Sequence, residues 1–242
     1  TTEARKPPIC PLPRGGGLGW GQQITREATQ NKCGINHNQG ASAPFNISNM
    51  NIETHPFPPH LPREATVMMS GSFPPTAEKR SMAFHYPNYQ NDMWRVYGTI
   101  FYNDPKHFEI AGEKRFDAER IRAFLTARGI AICPSVRRAI REKGNAADAH
   151  LRIIETLDLP AIVRELPQLR HIFTTGGKAT EVLLGFTGDA KAALKTGQTL
   201  EFQLDGRALS LTRLPSTSRA YPLKLEQKIA AYRAFFQRCN LV

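Results

Sequence analysis

The chain is expected to fold as a three-layer α/β/α domain around a central, mainly parallel four-stranded sheet. Three observations predict this. From Met50 onward, short apolar runs alternate with stretches of helical spacing, the pattern of a parallel sheet covered on both faces. The 242 residues, 40% of them hydrophobic, are enough to bury one such core. No apolar stretch approaches the roughly 18 residues that a membrane-spanning helix needs, so a soluble protein is expected.

Val67-Met68-Met69-Ser70 is the first strand. Asn91 to Phe101 places Trp94, Tyr97 and Phe101 at helical spacing, with Asn91 or Asp92 as N-cap and Trp94 in the core. Asp117 to Arg128 is a second helix, stopped by Gly129. Ile130 to Cys133 is the second strand, followed by a basic stretch. Leu159 to Leu166 is a short helix that tolerates Pro160 in its first turn. Arg170 to Thr174 is the third strand, and Gly176-Gly177 opens a helix running to about Leu184. Asp189 to Lys195 reads as another short helix. Leu200 to Leu204 and Ala208 to Leu211 flank Asp205-Gly206, a hairpin signal, and the second arm supplies the fourth strand. Lys224 to Arg238 is an amphipathic helix with Ile229, Tyr232, Phe235 and Phe236 on its apolar side.

Residues 1–49 have a different composition, with GGGLGWG, NKCGINHNQG and few clustered apolar residues. They are expected to be a disordered or non-native extension. The chain begins Thr1-Thr2, and Met50 is a candidate natural start for a domain over 50–242. The whole chain carries +11, of which +3 falls on 1–49, leaving +8 on the domain. A polyanionic partner follows, with nucleic acid the first candidate; a charge that merely confers solubility is the plainer reading. Cys10, Cys33, Cys133 and Cys239 form no CxxC and no Cys/His pair at zinc spacing, which argues against a zinc or iron–sulfur site and suits a reducing cytosol.

Ligands of open parallel sheets bind beyond the C-terminal strand ends, and GSFPP, TTGGKAT and LPSTSRAY fall at such ends and are expected to converge. TTGGKAT is no P-loop: Ile172 stands where the first glycine belongs and Ala179 where the hydroxyl belongs. It reads as a tight strand-to-helix turn, or as a turn whose Gly176 and Gly177 amides touch a phosphate. His55 and His60 in HPFPPH lack acidic companions for a metal. Ser72, Ser216 and Ser218 lack the GxSxG elbow of an esterase. Arg137, Arg138, Arg141 and Lys143 either track phosphates or form a solvated helix face.

Taken together, ETHPFPP, the apolar strand, GSFPP, YPNYQNDMWRVYG and LPSTSRAY before a last helix resemble the uracil-DNA glycosylase superfamily. The resemblance runs from about Thr54 to Phe236. It is strongest to the hypoxanthine-DNA-glycosylase-type branch, with its GSFP-type first motif, HPRNxFW-type second segment and LPSxSxAN-type final motif. The resemblance implies a base-flipping DNA repair enzyme in which Gly71, Phe73 and Pro74 bind the base, Phe73 stacking on it. Asn91 positions water or sugar, and Ser72 stands where many members carry Asp or Asn, so water activation shifts to Asn91. Ser216 belongs to the substrate wall. Pro215, Ser218 and Arg219 press on the DNA backbone, with Gly177 and Lys178 beside them. The chain departs from the branch at Asn88-Tyr89-Gln90, which replace His-Pro-Arg, and at Arg219 and Tyr221, where proline and asparagine are common.

The residue chemistry agrees with such a role. A base inside duplex DNA must be swung out, at a cost of a few kcal/mol, and stacking recovers roughly 1 to 3 kcal/mol per base. Phe73 suits stacking and equally suits a core; Asn91 suits the sugar and equally suits a helix cap, and these two roles are compatible. A glycine at position 71 is expected to let the backbone approach the base. No lysine lies in GSFPP, YPNYQNDMWRVYG or LPSTSRAY, so hydrolysis by water is expected rather than lyase chemistry. The expectation is therefore a monomeric, cytosolic or nucleoid, monofunctional glycosylase acting on uracil or hypoxanthine in DNA without metal or other cofactor and without membrane contact. A non-catalytic nucleic-acid-binding module that keeps the pocket, and a hydrolase of free nucleosides or nucleotides, are the alternatives.

Overall fold

The computed structural model describes residues 51–142, 150–189 and 193–242. The readings of 1–49, of Met50 and of Lys143 lie outside these residues. So does the middle of the helix expected over Asp189 to Lys195, whose described flanks, Asp189 and 193–195, are not helical. Strand β1 (Ile52–Thr54) precedes β2 (Val67–Ser70), and helices α1 (Met93–Tyr102) and α2 (Ala118–Ala127) follow. Next come β3 (Ile130–Ile132), β4 (Val136–Arg141), β5 (Leu151–Thr156), helix α3 (Leu159–Glu165), β6 (His171–Thr174) and α4 (Gly177–Leu184). Strands β7 (Thr199–Leu204) and β8 (Arg207–Arg213) and helix α5 (Leu225–Arg238) close the chain.

The central sheet corrects the expected one. It is five-stranded and mixed, in the order β3-β2-β6-β8-β7. The β3-β2, β2-β6 and β6-β8 pairs are parallel, and β7 adds antiparallel to β8. The reason is local: Asp205 and Gly206 both take positive φ, so the hairpin turns tightly and lays its first arm on the sheet edge. A second, antiparallel sheet, β1-β4-β5, was not anticipated.

Alternation along the strands sends side chains to two faces. Val67, Met69, Ile130, Ile132 and Phe173 join Trp94 and Tyr97 of α1, Ile121 and Leu125 of α2, and Tyr232 and Phe236 of α5 in one core. Met68, Ala131, Ile172 and Leu211 meet Leu159 and Val163 of α3 and Leu183 of α4 in the other. The packing is thus helices, sheet, helices, as expected, and Trp94 is fully buried.

Caps set the helix ends. Asp117 accepts from the amides of Glu119 and Arg120, and Asp158 accepts from Ala161 N at 3.0 Å. Helix α1 ends on Asn103 in the left-handed region, φ 55°.

Strand β4 overturns the helical reading of Arg137, Arg138 and Arg141. Register shifts at Arg138 break its pairing with β5, so its buried residues do not alternate and the period-2 signal is lost. Arg137 and Arg138 are exposed and lie 3.3 and 3.9 Å from Glu155. The Arg141 side chain, in contrast, is buried.

Candidate functional site

A cavity of about 460 Å³ opens where the loops after β2, β6 and β8 meet. Gly71 to Pro75, Thr175 to Gly177, and Leu214 with Ser216 to Ser218 all line it, together with Asn88 and Asn91 from the loop leading into α1. The convergence at one sheet end follows from parallel pairing, which puts the C-terminal ends of β2, β6 and β8 side by side.

The first wall is GSFPP. A Cβ built on Gly71 would lie 2.7 Å from the Tyr86 hydroxyl. The glycine therefore makes room for Tyr86, whose hydroxyl bonds Thr175 Oγ1 at 2.8 Å, and itself lines the cavity. Tyr86 also lines the cavity and holds φ 52°, a left-handed backbone that costs a bulky residue on the order of 1 to 3 kcal/mol. Phe73 lines the cavity half-buried, edge-on to His55 at 5.5 Å and packed on the core of the small sheet. The Arg141 guanidinium sits 5.1 Å from the Phe73 ring centroid and donates to the Pro74 carbonyl at 2.6 Å and to Glu53 Oε1 at 2.8 Å. With its side chain 4% exposed, Arg141 is a strut under the loop and offers no surface to a phosphate. Ser72 and Pro74 stand on the same wall.

The second wall is the start of α1. Asn91 Oδ1 accepts the Met93 amide proton at 2.9 Å, which spends one of its two lone pairs on the helix start. Asn91 is also among the residues that line the cavity. The next residue, Asp92, is 7% exposed and receives the Lys228 ammonium at 2.9 Å. Lys228, on α5 and 1% exposed, donates a second bond to the Ser218 carbonyl at 2.9 Å. The Asp92 amide donates to the Thr217 carbonyl at 3.0 Å, and the Tyr232 hydroxyl to the Pro215 carbonyl at 3.0 Å. This buried charge pair ties the second wall to the third.

In the third wall, Ser216 and Ser218 line the cavity, and their hydroxyls accept the amides of Ser218 and Ala220 at 3.2 Å, forming successive tight turns. Pro215 is buried and does not line it. Arg219 is 60% exposed and lies 3.7 Å from Asp92 Oδ1. Gly177 lines the cavity beside Arg213, whereas Lys178 lies off it, paired with Glu181 at 3.0 Å.

Sequence reasoning passed over Tyr86, His85, Lys228 and the strut role of Arg141. Lys228 had a signal: it falls four and seven residues before Tyr232 and Phe235, on the apolar stripe of α5. The others had none, because their roles arise from contacts far apart in sequence.

His55 and His85 stack at a ring separation of 5.6 Å on the cavity lining. Burial is the main cause that drives both below the ordinary value of 6.5, His55 to about 4 and His85 to about 3. Both are neutral at pH 7. Above pH 6.5 the folded and unfolded chains agree in leaving these rings unprotonated. Below it only the unfolded chain takes up the protons, so stability falls as the pH drops from 6.5 toward 4. Burial pushes His60 and His171 the same way. Thermal unfolding between pH 7.5 and 4.5 is expected to show a falling midpoint, and His85→Phe a flatter profile; parallel profiles would remove His85 from this balance.

Among the described residues no cluster of three or more His, Cys, Asp or Glu side chains is placed to hold a metal ion. No described helix is long and apolar enough to cross a membrane. Among the described residues lining the cavity, Arg213 is the one formally charged side chain, and no carboxylate is present.

No family model matches the chain, and no curated protein matches it. Among solved structures it is similar to the solution NMR structure of a protein from Methanosarcina acetivorans provisionally described as a uracil DNA glycosylase. The identity is 20%, the TM-score 0.55, and the match covers 78% of this chain and 98% of the other. The likeness is one of fold.

Proposed function

We propose that the chain is a DNA glycosylase that hydrolyses the N-glycosidic bond of a deaminated base, uracil or hypoxanthine, swung out of the DNA into this cavity. The observation that carries the reading is the convergence of three strand-end loops on one aromatic-lined cavity almost free of formal charge, with Asn91 among its lining residues. Such a site suits a flat, neutral heterocycle. The likeness of fold to a protein described as a uracil DNA glycosylase supports it, as does the +8 carried by residues 50–242.

The chemistry follows from charge. As the bond breaks, positive charge grows on the sugar and negative charge on the departing base, so fixed dipoles facing either one lower the barrier. The second lone pair of Asn91 Oδ1 faces the growing positive charge and orients water toward C1′. That water's oxygen forms the new bond to C1′, its proton passes to solvent, and the base leaves with the bonding pair and is protonated there. Phe73 covers one face of the base, held in place by Arg141. Ser72 and Ser216 supply short hydroxyls around it, while Ser218, Gly177, Lys178, Pro215 and Arg219 form or support the rim toward the DNA.

The absence of a carboxylate among the described lining residues favours a second reading, a module that binds a flipped base without cleaving it. Oligonucleotides carrying one uracil, hypoxanthine, xanthine or alkylated base separate the two. Alkali-labile abasic sites at uracil or hypoxanthine are the expected result. Tight binding without abasic sites would establish the module, and turnover of free nucleosides in preference to oligonucleotides would establish a nucleoside hydrolase.

A further inference from the structure

The proposed chemistry leaves His55 unused, although it lies on the cavity lining between three aromatic neighbours. Its Nδ1 is 2.9 Å from the Phe57 carbonyl and 3.2 Å from the Phe57 amide nitrogen. One nitrogen cannot serve both. A carbonyl only accepts, so the shorter contact puts the proton on Nδ1 and leaves Nε2 as a bare acceptor. The ring is held from turning by Phe57 and Phe73, each edge-on, and by His85 stacked on it. Behind it His85 is fixed in turn, its Nε2 donating to the Pro58 carbonyl at 2.9 Å, with 4% of the residue exposed. Burial keeps both rings neutral, so the acceptor is not lost to protonation at neutral pH.

Deamination changes one property of a base that such an acceptor can read. Cytosine N3 and adenine N1 are lone-pair acceptors; the corresponding atoms of uracil and hypoxanthine carry a proton. A bare imidazole nitrogen therefore bonds the deaminated base and faces the parent base lone pair to lone pair, where both acceptors stay unsatisfied. Resting on the glycosylase reading above, we propose that His55 Nε2 accepts the ring N–H of the flipped base and so selects lactam bases over cytosine and adenine. Thymine and guanine share that N–H, and their exclusion rests on cavity shape and on pairing in the duplex.

The test uses single-stranded oligonucleotides, which remove any contribution from base pairing. Each carries one uracil or 3-methyluracil, or one hypoxanthine or 1-methylhypoxanthine, the methyl group replacing the proton. Excision is measured as kcat/KM with the unsubstituted protein, His55→Phe and His55→Gln. Binding is measured by fluorescence anisotropy in an Asn91→Ala background. Methylation is expected to weaken both by at least about tenfold in the unsubstituted contact, and by no more than about threefold in His55→Phe, with His55→Gln in between because its carbonyl still accepts. Equal handling of methylated and parent bases by the protein carrying His55 overturns the proposal whether or not the variants fold. So does an undiminished penalty in folded His55→Phe. Excision without discrimination would sink this inference and leave the glycosylase reading standing; discrimination in binding without excision would do the reverse.

Discussion

Asn91→Ala is expected to lower kcat for excision by about 10² to 10³, the usual cost of deleting one fixed dipole that faces developing charge. The same substitution removes the bond from Met93 N to Asn91 Oδ1, worth about 1 kcal/mol at a helix start. Asn91→Ser separates the two effects, since its hydroxyl can still cap the helix while reaching less far into the cavity. Excision near the original level in Asn91→Ala, measured as abasic sites per unit time, would take Asn91 out of the mechanism. An equal rate loss and equal destabilisation in both variants would make it a cap alone.

Lys228→Met is expected to destabilise the fold by roughly 3 kcal/mol, because it leaves the buried Asp92 carboxylate with only the largely exposed Arg219 guanidinium, 3.7 Å away. The Ser218 carbonyl loses one of its two donors at the same time, keeping only the Tyr221 amide at 3.1 Å, so the third wall loosens and excision falls with stability. Asp92→Leu alone should cost a similar amount, and the double variant less than the sum, because two apolar side chains of suitable size restore the packing without charge. Urea unfolding of the four proteins measures the coupling. Additive losses would show that the two side chains act independently and that the pair does not bind the walls together.

Much of this arrangement was legible beforehand because it is local. Val67 to Met69 is a continuous apolar run because both faces of β2 are covered, and Asp117 is a cap because its side chain serves amides two and three residues on. The meeting of GSFPP, TTGGKAT and LPSTSRAY followed from the strand-end rule once the strands were placed. The β4 strand was not legible, since its register shifts erase the alternation on which a reader depends.

Gly71, Arg141 and Lys228 mark the boundary most clearly. Residue order determined that glycine follows β2, that arginine ends an apolar and basic run, and that lysine interrupts the stripe of α5. Only tertiary structure decided that Gly71 clears a path for Tyr86, that Arg141 props Phe73 and Pro74, and that Lys228 closes on Asp92, 136 positions away in the chain. Periodicity and capping are set by bonds a few residues long, which a sequence displays directly. The partner of a buried charge, or the occupant of the space a glycine leaves, is set by which distant segments the packed core brings within about 3 Å, and that distance is absent from residue order.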